Sequence, residues 1–151
     1  MIYYAVIDTN VVISAMLKPE SNPGMVLKYA LSGVIVPLVN DEILNEYITV
    51  TNRKEFAFEK EDINSVISAF QEKAVILERT TTTESFLDKK DVVFYEIVQT
   101  GRTLSDAYLI TGNKKHFPSK PFVVNPREML DIIENDMIAE CRSVLAGKDK
   151  I

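Results

Sequence analysis

At 151 residues, with 46% hydrophobic and 26% charged residues, the chain is sized for one domain that buries its own core. A formal net charge of -5 argues against broad, charge-driven coating of long nucleic acids, because such affinity comes from neutralising many phosphates. One cysteine excludes an internal disulfide, and no apolar stretch approaches the ~20 residues that cross a bilayer.

The amino terminus also lacks a basic-then-apolar secretion layout, so a cytoplasmic protein with no membrane partner is expected. Cys141, set in an apolar helical pattern, is expected to be buried and reduced.

The run Ile2, Tyr3, Tyr4, Ala5, Val6, Ile7 stops abruptly at Asp8, Thr9 and Asn10. A continuous apolar run of this length reads as a strand buried on both faces, with Asp8 at its carboxyl end. A helix is expected over Val11–Leu17, then a proline-containing break over Lys18–Gly24. A second helical run, Met25–Leu31, is closed by Gly33. Val34–Leu38 is the second strand. Asp41–Val50 and Glu59–Glu72 return to helical spacing, the latter with Ile63, Val66, Ile67 and Phe70 on one stripe. Ala74–Leu77 reads as a short strand and Thr80–Thr83 as loop.

The second half repeats the layout of the first. Asp91 opens a helix to about Thr100 that Gly101 closes, and Tyr108–Ile110 is a strand ending in the polar tip Thr111, Gly112, Asn113. Lys114–Phe117 is one helical turn, and Pro121–Val124 an edge strand, where proline is tolerated. Asn125, Pro126 and Glu128 open a terminal helix with a cap, a first-position proline and an acid three residues on. That helix runs to about Ala146, apolar at Leu130, Ile133, Met137 and Ile138, and a short charged tail of residues 148–151 follows the domain of residues 1–147. Strands alternating with helices imply βαβ units and a mainly parallel sheet.

In such sheets ligands bind outside the carboxyl ends of the strands. Asp8 is therefore the first candidate for a divalent-metal site, since a hard cation such as Mg2+ takes one or two carboxylates together with water and phosphate oxygens. Position alone leaves Asp8 equally readable as a cap of the next helix, a role also open to Asn10. Glu42 and Glu46 share a helix face; Glu46 flanks the apolar stripe Ile43, Tyr47, Val50, whereas Glu42 points outward and suits the helix dipole. Glu46 is the better inward-facing ligand, although surface glutamates are commoner. Asp91 lies beside Phe94, Tyr95 and Val98, with helix capping as its plain alternative and Asp88 as a weaker substitute. Glu96 is expected to face solvent. Asp106 precedes its strand and belongs at the far edge, while Asn113 sits at the near edge and adds no charge. Lys114 and Lys115 could meet phosphates, though an ordinary solvated pair is the plainer reading. His116, without a His or Cys partner, is expected to be structural.

Val6-Ile7-Asp8-Thr9-Asn10 and Leu109-Ile110-Thr111-Gly112-Asn113-Lys114-Lys115-His116-Phe117 resemble the PIN-domain nucleases. Glu42 to Tyr47, Asp91 to Phe94 and Asn125 to Glu128 support that resemblance, which spans nearly the whole chain and points to the toxins of toxin-antitoxin pairs. The resemblance implies a three-layer α/β/α sandwich, RNA hydrolysis with Mg2+ or Mn2+, and metal binding by Asp8, Glu46 and Asp91. It places Asn113 at a fourth, usually acidic, catalytic position, Thr9, Asn10 and Thr111 in support, and Lys114 and Lys115 on RNA. Asparagine at 113 leaves three carboxylates, which bears on a second metal more than the first. Carboxylates crowded without metal should include at least one of raised pKa.

A PIN-like binding or regulatory module without strong catalysis is the rival reading, favoured by net acidity and Asn113. An aspartyl-phosphate mechanism lacks an acid two positions after Asp8, and a Rossmann-type site lacks its glycine-rich turn. As partners, the acidic surface would suit a basic antitoxin segment, and the apolar positions of the terminal helices are compatible with a homodimer.

Overall fold

The computed structural model describes residues 1–149, and in it the first apolar run becomes strand β1 (Tyr3–Ile7). β2 (Ile35–Val39), β3 (Val75–Ile76), β4 (Tyr108–Ile110) and β5 (Val123–Val124) complete an all-parallel sheet of order β3-β2-β1-β4-β5. Register places Tyr3 opposite Ile35 and Val6 opposite Leu109. β1 is central, covered on both faces, and its Ala5, Val6 and Ile7 are buried, which is why its sequence does not alternate.

Six helices connect and cover the strands: α1 (Thr9–Leu17), α2 (Asn22–Ser32), α3 (Asp41–Thr51), α4 (Lys60–Lys73), α5 (Lys89–Arg102) and α6 (Pro126–Asp149). Short 3-10 turns form at Lys54–Phe56 and Lys114–His116. From β1 the chain steps outward through β2 to β3, then returns to the other side of β1 for β4 and β5. Right-handed crossovers put α1 to α4 on one face of the sheet and α5 on the other, with α6 returning to pack on α2, giving the expected three-layer α/β/α sandwich. α5 packs against β1, β2 and β4, while α2 contacts β2, α1 and α6. The reversal of direction creates a switch point between the carboxyl ends of β1 and β4.

Several boundaries differ from the sequence expectations. α1 starts at Thr9, directly after an extended Asp8, rather than at Val11. α2 starts at Asn22 because Ser21 Oγ accepts from Gly24 N at 3.2 Å and Pro23 falls in the first turn, so proline opens the helix instead of breaking it. Gly24 is required there: a Cβ would lie 2.0 Å from the Pro19 carbonyl oxygen. Gly33, at φ +89°, closes α2 in the left-handed conformation, as expected. Gly101 lies inside α5, buried beside Leu38 and Ala107, and does not end it.

Glu96 is the clearest reversal. It is 5% exposed, and its carboxylate accepts from Arg79 and from Thr82 N at 3.0 Å. Arg79 also grips Glu42 at 2.9 and 3.0 Å, so one guanidinium from the segment after β3 ties α3 to α5. Cys141 is exposed, not buried, because α6 leaves the body of the domain beyond Asp136. Met129 and Ile133 reach the core, whereas Met137 and Ile138 are 40% and 43% exposed. α6 continues to Asp149 past the expected tail boundary; Lys150 and Ile151 lie outside the described residues. No helix among the described residues is long and apolar enough to cross a membrane.

Candidate active site

Asp8 follows the last residue of β1 and occupies the cap position of α1, yet its side chain makes no capping hydrogen bond. Its Oδ2 instead accepts from Thr111 Oγ1 at 2.7 Å, across the switch point. The backbone binds the two tips together as well, Asp8 N donating to Ile110 O at 2.9 Å. Thr111 in turn accepts from Asn113 N at 3.0 Å, and Asn10 Oδ1 accepts from Gly112 N at 3.2 Å. Thus Thr111 and Asn10 hold the ends of β1 and β4 in fixed relation.

α3 brings Glu46 to the same place. Tyr47, fully buried beside it, donates its hydroxyl hydrogen to the Ile7 carbonyl, which anchors α3 on the end of β1. Thr9 Oγ1 donates to Glu46 Oε2. Glu42 faces away, as expected, and engages Arg79. From the opposite layer, α5 presents Asp91 in its first turn. The capping role belongs to Asp88, whose Oδ1 accepts from Lys90 N at 2.9 Å, and Asp91 is free to face the cleft. A cleft of about 360 Å³ is lined by Asp8, Thr9, Asn10, Glu46, Asp88 and Asp91, together with Ser14, Arg53, Phe56 and Lys90.

The electrostatics of this cleft are unfavourable as they stand. Asp8 is pushed up to about 6, chiefly by burial and further by the charges of Asp91 and Glu46, against the lowering effect of the Thr111 hydrogen bond. Asp91 is also raised, by burial first, with His116 opposing and Asp88 and Glu46 adding to the rise. Asp91 Oδ2 is buried without a hydrogen-bond partner; His116 Nδ1 stands 3.4 Å away, too far for a good bond. His116 thus stands beside an acid of the cleft.

A divalent cation would answer the raised carboxylates and the orphaned oxygen together. Among the described residues no three His, Cys, Asp or Glu side chains stand close enough to ligate an ion outright. That looser spacing suits Mg2+, which retains much of its water and takes only one or two carboxylates directly. The residues present therefore fit such an ion.

Lys114 and Lys115 do not line this cleft but a neighbouring pocket with Phe117, Pro118, Ser119 and Lys120, and Lys114 pairs with Glu128 at 2.9 Å. Asn113 is exposed just beyond the cleft, at the start of the 3-10 turn. Sequence reasoning missed Arg53 and Phe56, since the segment between α3 and α4 shows no periodicity to mark it, and Lys90, which lies one residue before the expected start of α5.

Acidic side chains gathered over the switch point of a three-layer α/β/α sheet define a nuclease-type site. The chain belongs to the PIN domain family, whose profile matches residues 4–115. PIN domains are generally nucleases and generally use divalent metals, so a nucleic acid is the implied substrate. The matched span holds Asp8, Glu46, Asp91 and Asn113 and leaves α6 outside. An uncharacterized protein of Methanocaldococcus jannaschii is 32% identical over 113 residues, which cover 72% of this chain and 70% of that protein. No solved structure matches the chain.

Proposed function

We propose that the protein is a Mg2+- or Mn2+-dependent endoribonuclease that hydrolyses RNA phosphodiester bonds, and that it serves as the toxin of a toxin-antitoxin pair. The observation that carries the nuclease reading is the convergence of Asp8, Glu46 and Asp91, from three separate elements, on one cleft. The RNA and toxin assignments rest on the motif resemblance across the chain.

Asp8, Glu46 and Asp91 would hold the ion. When bound it lowers the pKa of a water and neutralises charge on the scissile phosphate and leaving oxygen. Thr111 and Thr9 fix one oxygen of Asp8 and one of Glu46, so neither carboxylate swings freely. Asn10 locks the loop after β4 onto α1, holding the two sides of the switch point together. Asn113, exposed after the tip of β4, and Lys115, within the 3-10 turn that follows, would meet substrate beyond the scissile bond.

The test is cleavage of a labelled RNA oligonucleotide with Mg2+, with Mn2+ and with EDTA, comparing wild type with Asp8→Asn. Loss of metal-dependent cleavage in the variant supports the reading. Equal activity in both would assign the cleavage elsewhere. Net acidity and an asparagine at position 113 favour the rival, a PIN-like binding or regulatory module. That rival predicts no cleavage by either protein and no metal binding by calorimetry. The toxin role predicts growth arrest on expression, relieved by co-expressing a neighbouring small basic reading frame. A homodimer predicts twice the monomer mass in sedimentation.

A further inference from the structure

We propose that Phe56, Arg53 and Lys90 form a nucleotide subsite beside the carboxylates, in which an unpaired base stacks on Phe56 and the two cations meet its flanking phosphates. The subsite deepens the ribonuclease reading and rests on it for the identity of the substrate as RNA.

Three observations converge. All three side chains line the wall of the cleft that holds Asp8, Glu46 and Asp91. Phe56 is the one aromatic ring lining the cleft, where Ile13 and Val50 also contribute apolar surface; it is partly exposed, and Phe58 stacks on it, centroids 5.6 Å apart and planes 15° from parallel. Phe58 is itself packed against the core. Between the two rings Ala57 adopts φ 52°, the sole left-handed non-glycine among the described residues, and such a conformation costs roughly 1 kcal/mol or more. The chain therefore keeps a strained backbone where it presents one face of a supported ring to the cleft.

Arg53 and Lys90 stand at the cleft and make no ion pair among the described residues, so neither is drawn off by an acid. In a chain of net charge -5, two uncommitted cations on the rim of an acidic cleft supply local attraction where a phosphate must approach three carboxylates. An aromatic platform with flanking cations is the recurring chemistry of single-strand binding, because every base offers a π-face and every nucleotide a phosphate. A paired base would first have to leave its stack, at a cost of a few kcal/mol. The subsite therefore selects unpaired substrate.

The chain contains no tryptophan, so Phe56→Trp installs a lone reporter at the platform. In EDTA, single-stranded RNA should quench that fluorescence and a duplex of the same sequence should not. Anisotropy with the same single strand should show Phe56→Ala binding roughly tenfold or more weakly than wild type. Arg53→Ala and Lys90→Ala should each flatten the salt dependence of affinity by about 0.7 in logarithmic slope. Thermal unfolding of each variant reports whether it folds. Wild-type affinity in a folded Phe56→Ala protein, or equal quenching by duplex, would overturn the subsite. If wild type cleaves RNA and Phe56→Ala does so with unchanged KM, the subsite fails and the nuclease reading stands. Quenching by RNA without any metal-dependent cleavage would leave the subsite in place and remove the nuclease.

Discussion

Replacing Asp8 by asparagine should make the metal-free protein more stable. Burial and two neighbouring acids raise Asp8 from 3.8 to about 6, a change already net of the Thr111 hydrogen bond. At 1.36 kcal/mol per unit this is about 3 kcal/mol. The folded-state value lies above the unfolded one, so the fold favours the protonated acid. The penalty is absent below pH 3.8, develops between pH 3.8 and about 6, and is complete above that window. Asparagine has nearly the same shape, keeps an acceptor for Thr111 and carries no charge. Asp8→Asn in EDTA should therefore melt ~6–12 °C higher than wild type at pH 8, taking ~2–4 °C per kcal/mol for a domain of this size. At pH 4 the two proteins should melt close together. Calorimetry or circular dichroism at both pH values reads the result. A variant that is less stable at pH 8, or a gap as wide at pH 4, would refute the reasoning.

The same carboxylate governs the other expectations. Saturating Mg2+ should raise the melting temperature of wild type at pH 8 and leave Asp8→Asn unmoved, and metal affinity by calorimetry should decline as pH falls through about 6. Thr111→Val removes the hydrogen bond that lowers Asp8, so the acid limb of that affinity profile should move to higher pH; an unchanged profile would show that the Thr111 bond is immaterial. Tyr47→Phe leaves the buried Ile7 carbonyl short of a donor and should cost ~1–2 kcal/mol in denaturant unfolding. Arg79→Ala strands the buried Glu96 carboxylate and should cost about 2 kcal/mol, between an exposed and a fully buried pair, with Glu96→Gln milder by the same measurement.

Strand-forming runs were readable because a central parallel strand must be apolar on both faces, and Ile2–Ile7 and Tyr108–Ile110 advertise this directly. Their polar tips marked the carboxyl edge of the sheet, whereas the strand order that makes it a switch point is not written in any local stretch. Helix starts were less legible. Pro23 looked like a breaker until Ser21 proved to cap the turn it opens, and Asp91 was readable as either ligand or cap, with the cap in the structure falling to Asp88. Glu96 misled for a different reason: periodicity identifies the polar side of a helix but not the arginine that later covers it. Likewise the stripe through Met137 and Cys141 continues the pattern of α6 where no domain remains to meet it. At the cleft, Asp8 and Asp91 were visible at the ends of regular elements and Glu46 by its place beside an apolar stripe, whereas Arg53 and Phe56 lie in a link without periodicity.

Both outermost strands, Val75–Ile76 and Val123–Val124, are two residues long, while the five-residue β1 and β2 lie inside the sheet. An unfolded chain searching for a template would find only a couple of amides before the border ends, too few to seed fibrillar growth. High-concentration handling should therefore be limited by side-chain stickiness rather than by runaway β-augmentation.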